Sequence, residues 1–314
     1  MATDQEVWNL MPLHLRQMLT KSRISFDQLT ELRIRLGYPM IVKYSGKEYY
    51  LDASGRLLPD SDNAYIITKE DIRSIVDVIS HYSLYAFEEE LRQGYLTVNG
   101  GHRIGMAGKV VLEHGQIKTI RNITYLNIRI AHQILGCARK LHKLLHDDSG
   151  YKHTLIISPP GCGKTTLLRD LIRLASEGNE GIHGVTVGVV DERSEIAACY
   201  QGIPQLDVGC RTDVLDGCPK ASGMILLLRS MTPDVIAVDE IGSPEDYEAI
   251  RYVLNAGCAI FATVHGISLE EIGNRPVVSR MLSERIFERY VILSNRKGIG
   301  TIERVLDDQG NACD

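Results

Sequence analysis

The spacing of apolar and polar positions along this chain falls into two regimes. In the first, Val7, Trp8, Leu10, Met11, Leu15, Met18 and Leu19 recur three or four residues apart, which predicts an amphipathic helix over residues 5–20. Residues 31–51, ELRIRLGYPMIVKYSGKEYYL, alternate apolar and polar around Gly37-Tyr38-Pro39 and Ser45-Gly46, the pattern of short antiparallel strands joined by turns. Helical spacing returns in TKEDIRSIVDVISHYSLYAFEEELRQG, residues 68–94, where Thr68 and Asp71 offer an amino-terminal cap. A β-rich stretch from Tyr95 to about Ile130 comes next, punctuated by Asn99-Gly100-Gly101 and His114-Gly115. Residues 1–135 are therefore expected to form an α+β domain.

Beyond it lies CARKLHKLLHDDSGYKH, a short helix running into an acidic, glycine-containing connection, and residues 136–152 are the expected linker. His142 and His146 stand four apart there, but Lys143 occupies the place of the glutamate in H-E-x-x-H, so a metalloprotease helix is not indicated. The second regime begins at residue 153. Apolar strands at 153–158, 184–190, 234–239 and 258–264 alternate with helical segments at 164–176, 218–231 and 244–255. That alternation predicts an α/β domain over 153–314, a parallel sheet covered on both faces.

Composition narrows the function classes. A 314-residue chain that is 44% hydrophobic can build two packed domains, and a formal charge of −5 gives no basic field for coating nucleic acid. Seven cysteines with no C-x-x-C pair, and no secretory signal, point to a reducing cytoplasm. No apolar run approaches the roughly 20 residues of a transmembrane helix, so a role at a membrane would be that of a peripheral subunit.

The chemistry concentrates in the second regime. TLIISPPGCGKTT, residues 154–166, matches the phosphate-binding pattern G-x-x-x-x-G-K-[ST] except that Ser158 stands at its first position. That position only starts the turn; Pro160, Gly161, Cys162, Gly163, Lys164, Thr165 and Thr166 form the part that would approach phosphate. Lys164 is expected on the β- and γ-phosphates of ATP, and Thr165 on Mg2+. In PDVIAVDEIG an apolar strand ends in Asp239, a second candidate for the magnesium shell, and Glu240, a candidate to orient or deprotonate water. CAIFATVHG ends in Thr263 and His265, and His265 could sense the γ-phosphate from a neighbouring strand tip. VTVGVVDERSEIA ends a further strand with Asp191, Glu192 and Glu195, which either position water or magnesium or cap the next helix.

In this order the four segments resemble the Walker A, Asp box, Walker B and His box of the type II and type IV secretion ATPases. Within that superfamily the resemblance is to the sporulation ATPases of the mother-cell-to-forespore channel, and it covers roughly residues 85–295. It implies a RecA-like P-loop ATPase core joined to a smaller amino-terminal domain, assembly into a homo-oligomeric ring, expected to be hexameric, and membrane channel subunits as partners. Glu240, His265 and Glu192, at the strand ends, are the candidate catalytic residues of that core. Arginines ahead of the linker reach the nucleotide in the wider family, and Arg103 in HRIGMAG and Arg121 in TIRNI hold comparable places. Two rival functions remain open. A circularly permuted GTPase would use Thr68-Lys69-x-Asp71 for guanine and DEIG as its D-x-x-G element, but leaves Glu240 and His265 without roles. A nucleotide-binding scaffold would not need the intact set of Lys164, Thr165, Asp239 and Glu240.

Overall fold

The structure, a computed structural model, describes residues 4–80, 94–179 and 181–313. The chain forms two compact units: Met1–His132 with Ala198–Gln205, and Gln133–Ala197 with Leu206–Asp314.

In the first unit the helix expected over 5–20 is divided into α1 (Asp4–Trp8) and α2 (Leu13–Lys21). Pro12 causes the division: it disfavours helical geometry in the residue before it and serves as the N-cap of α2. Strands β1 (Leu29–Arg35), β2 (Ile41–Tyr44), β3 (Lys47–Leu51) and β4 (Leu57–Leu58) precede α3 (Lys69–Ile79). Beyond it lie β5 (Tyr95–Thr97), β6 (Arg103–Glu113) and β7 (Gln116–Arg129). The seven strands make one antiparallel sheet in the order β4-β3-β2-β1-β7-β6-β5. Its core gathers Leu32 and Ile34 of β1, Leu126 and Ile128 of β7, Leu15 and Leu19 of α2, and Ile72 and Ile75 of α3. The second half of the helix expected over 68–94 lies largely outside the described residues.

Thr68 caps α3 as expected: its Oγ1 accepts the Asp71 amide over 3.2 Å, while Asp71 Oδ2 accepts the Thr68 amide over 2.8 Å. Asp71 also accepts Tyr65 Oη over 3.0 Å and lies 2.7 Å from His14 Nε2. A buried carboxylate so committed is a structural cap and is poorly placed to select guanine.

The second unit opens with α4 (Arg139–Leu144) and the small hairpin β8 (His146–Asp147) and β9 (Gly150–Tyr151). Residues 136–152, expected as a connection, thus belong to this unit, with Leu141 and Leu145 fully buried. His142 Nε2 meets Tyr151 Oη at 2.6 Å. The chain continues through β10 (Thr154–Ser158), α5 (Lys164–Glu177), a second hairpin of β11 (Gly178–Asn179) and β12 (Ile182–His183), β13 (Val187–Asp191) and β14 (Thr212–Asp216). After them come α6 (Lys220–Ser230), β15 (Val235–Val238), α7 (Pro244–Asn255) and β16 (Ala259–His265). The unit closes with α8 (Leu269–Gly273), α9 (Pro276–Ser283), β17 (Arg289–Ser294) and β18 (Thr301–Asp307). The main sheet runs β14-β13-β15-β16-β10-β17-β18, parallel throughout except for β18.

All of β10, β13 and β15 is buried, as strands covered on both faces must be. Leu155, Ile157, Ile236, Val238 and Ile260 share a core with Leu227 of α6 and Ile250 of α7. Helix α5 stands outside that cluster and packs on β10, β13 and β16. Among the described residues no helix is long and apolar enough to cross a membrane.

Candidate functional site

The carboxyl ends of β10, β16, β15 and β13 lie side by side, and the loops leaving them carry the polar residues singled out in the sequence. Such strand ends are where open parallel sheets bind ligands. Ser158 closes β10, fully buried; its hydroxyl donates to the Pro159 carbonyl over 2.8 Å and its own carbonyl accepts the Gly266 amide over 3.1 Å. The tie between the two strand ends is made by the backbone of Ser158, which glycine would supply equally. Pro160 is exposed, and Gly161 and Gly163 have φ of 73° and 84°, the left-handed region that favours glycine. The Cys162 carbonyl accepts the Gly300 amide over 3.0 Å, which fastens the loop to the turn between β17 and β18. Gly163 begins α5 without any side-chain cap, and Thr166 lies in the helix's first turn. First-turn amides left without a side-chain acceptor form an anion-binding end.

Lys164, only 5% exposed, aims its Nζ at Asp239 and donates to Thr263 Oγ1 over 2.9 Å. Thr165 Oγ1 donates to the other Asp239 oxygen over 2.7 Å. Thr263, fully buried two residues before the end of β16, donates to Asp239 and accepts the Glu240 amide over 2.9 Å. Burial alone would raise the Asp239 pKa, but the Lys164 ammonium and the hydrogen bonds from Lys164, Thr263 and Thr165 outweigh it and hold the carboxyl below its ordinary range. Asp239 is thus a carboxylate at neutral pH. A hydroxyl and a carboxylate side by side are hard oxygen donors of the kind Mg2+ takes.

Glu240 has φ 56°, and its carboxylate is held on both sides. Oε1 lies 2.7 Å from His265 Nε2 and 3.7 Å from Lys164 Nζ; Oε2 accepts Arg193 Nη1 over 2.8 Å. On the β13 tip, Asp191 is buried and accepts the amides of Glu195, Ile196 and Ala197 over 2.8, 2.9 and 2.8 Å. Burial pushes its pKa up, with Asp216 adding to the rise and the three amides opposing it. Asp191 caps no helix, since residues 192–199 form a loop; its carboxylate is spent on the amides of that loop. Glu192 is exposed and ion-paired with Lys220 at the start of α6.

The structure thus brings Lys164, Thr165, Asp239, Glu240 and His265 together, with Glu192 on an adjacent tip. Arg103 and Arg121 belong to the first unit: the Arg103 guanidinium lies over the Tyr95 ring, 3.5 Å from its centroid, and Arg121 is an exposed residue of β7. Three participants have no role that the sequence alone assigns. Thr263 stands out in the sequence beside His265, but its role as the hydroxyl joining Lys164, Asp239 and the Glu240 amide does not. Arg193 sits within DERSEIA among acids that draw attention first, and the backbone bond from Gly300 has no side-chain signal.

Fold and site together define a P-loop protein with a RecA-like core. The structure resembles the X-ray structure of the Legionella pneumophila ATPase DotB, with TM-score 0.57 and 16% identity over 89% of this chain and 75% of that one. It also resembles the pilus retraction motor PilT with bound ADP, with TM-score 0.53 and 17% identity over 84% and 73% of the two chains. At such identities the likeness is one of fold.

In sequence, the family model for sporulation stage III, protein AA, matches residues 1–313. Stage III sporulation protein AA of Bacillus subtilis (strain 168) is 43% identical over 307 residues, 98% of this chain and 96% of that protein. The chain belongs to the sporulation stage III protein AA family. An uncharacterized protein ycf45 of Cyanidium caldarium is 26% identical over 197 residues, 61% of this chain and 55% of that one.

Proposed function

We propose that this protein is a magnesium-dependent ATPase that works as a ring, hexameric in our reading, and energises or assembles a channel between mother cell and forespore. It would act at the cytoplasmic face of a membrane as a peripheral subunit, with the channel's membrane proteins as partners. The observation that carries the proposal is the convergence of Lys164, Thr165 and Thr263 on Asp239, with Glu240 and His265 beside them.

The Lys164 ammonium donates to Asp239. ATP offers that ammonium its β- and γ-phosphate oxygens instead, while the first-turn amides of α5 receive the remaining phosphate charge. Thr165 and Asp239 would hold magnesium, which when bound neutralises charge on the β- and γ-phosphates. Glu240 accepts the proton of the water that attacks the γ-phosphorus as the bond to the bridging oxygen breaks and ADP leaves. His265, hydrogen-bonded to Glu240, reports the loss of the γ-phosphate to the end of β16. Arg103 and Arg121 complete the site on assembly, as arginine fingers do in other phosphoryl-transfer proteins.

The test is release of phosphate from ATP and from GTP by the purified protein, with and without magnesium, beside Lys164→Ala. Magnesium-dependent turnover of ATP that exceeds GTP turnover and disappears in Lys164→Ala is expected. Equal or faster GTP turnover would favour the GTPase, and magnesium-independent binding without turnover would favour a scaffold.

A further inference from the structure

The proposed mechanism leaves Arg193 unused, although it makes a short contact with a proposed reacting group. It projects from the loop after β13, and its guanidinium donates to Glu240 Oε2 over 2.8 Å. His265, at the end of β16, lies 2.7 Å from Oε1 of the same carboxylate. Since β15 runs between β13 and β16, Glu240 is gripped from both neighbouring strands. Its backbone, at φ 56°, is one that L-residues rarely adopt, and the Thr263 hydroxyl fixes it by accepting the Glu240 amide. The direction of this carboxylate is therefore determined at three points, and one of them is Arg193.

The loop that presents Arg193 is itself well anchored. Asp191 accepts the three amides of residues 195–197, Ser194 Oγ donates to Asp216 Oδ1 over 2.6 Å, and the buried Arg169 donates to the carbonyls of Glu195 and Ile196. Lys220 pairs with Glu192, the residue just before Arg193. Yet the Arg193 side chain is 62% exposed, and an ion pair so open to solvent contributes little to the stability of a fold. Stability does not account for so firm a mounting; orientation of Glu240 does.

We infer that Arg193 is a positioning residue for hydrolysis, holding the Glu240 carboxylate in the direction from which it takes the proton of the attacking water. The inference rests on the ATPase reading. A planar guanidinium fixes a carboxylate's direction better than an ammonium does, so lysine should be a partial substitute.

The experiment compares the purified full-length protein with Arg193→Ala, Arg193→Lys, Glu240→Gln and the double variant Arg193→Ala/Glu240→Gln, using magnesium and ATP. Arg193→Ala is expected to lower kcat by about tenfold to a hundredfold, the scale of a misdirected catalytic group. KM, binding of a fluorescent non-hydrolysable ATP analogue and the melting temperature of the nucleotide-free protein should stay close to wild type. Arg193→Lys should recover part of the loss. The double variant should be no slower than Glu240→Gln, because the effect passes through that carboxylate. A slow Glu240→Gln beside a normal Arg193→Ala would overturn the inference, as would weakened analogue binding in Arg193→Ala or a further loss in the double variant. A wild-type protein without turnover, or a Glu240→Gln as fast as wild type, would instead overturn the ATPase reading and the inference with it.

Discussion

Thr263 shows how much one buried hydroxyl can organise. It donates to Asp239 and accepts from both Lys164 Nζ and the Glu240 amide, so three functional groups take their places from a single side chain. Thr263→Val keeps the shape and removes every one of these bonds. The partly buried Glu240 amide would then lack its acceptor, and the Lys164 ammonium would keep only Asp239. Leaving such an amide unpaired costs about 1–3 kcal/mol, and a loss of stability of that size is expected from calorimetry of the nucleotide-free variant. A change within experimental error would mean that water replaces the hydroxyl and that the network is looser than described. The same reasoning covers Asp239 in acid. Its folded pKa is depressed, so its contribution to stability is present above the unfolded carboxyl pKa and is lost only as pH falls through the lower folded value.

At the scale of elements, His102 carries a pH dependence in a higher range. It lies fully buried just before β6, where Nδ1 accepts the Ala131 amide over 3.1 Å. Burial, with a smaller effect from His132, lowers its pKa from 6.5 to about 4. Between those values the unfolded chain binds a proton that the native unit does not, so stability rises with pH across the window and falls as pH drops from 6.5 towards 4. The shift corresponds to about 3 kcal/mol. Trp8, the single tryptophan and buried in the same unit, reports the unfolding. Denaturant titrations at successive pH values should give that slope in the wild type and lose it in His102→Leu, whatever that variant's absolute stability; an unchanged slope would assign it to other groups.

The elements also explain what the sequence made legible. Strands β10, β13, β15 and β16 are mostly apolar because both faces are covered, and their polar residues gather at the carboxyl ends that meet the site; pattern and motif coincide there. Strand β14, TDVLD, is an edge strand only partly buried, so its alternation is short and diluted by aspartates. Strands β17 and β18 form a hairpin across residues 295–300, and the register shift between Ile292 and Leu293 breaks the simple alternation by which a hairpin is read from sequence. Pro12, whose effect is local, is visible in the sequence and still divides a helix that apolar spacing alone would continue. The Arg193–Glu240 contact joins residues 47 apart and arises only once β13 and β15 are neighbours.

At the scale of the whole molecule, the chain passes between its units three times, since Ala198–Gln205 returns to the first unit directly after the Asp191–Ala197 loop. Ring assembly is the proposed way in which Arg103 and Arg121 come to act on nucleotide. Their replacement by alanine should therefore lower turnover while leaving ATP affinity largely intact. The central claim is that the clustered strand tips hydrolyse ATP through Glu240. The most direct measurement is phosphate release from magnesium and ATP per mole of protein across a wide dilution range, for wild type and Glu240→Gln side by side. We expect wild-type specific activity to rise with concentration as rings form, and Glu240→Gln to fall about 10²-fold or more below it at every concentration, the loss of a positioned general base. Equal rates from the two proteins would contradict the account.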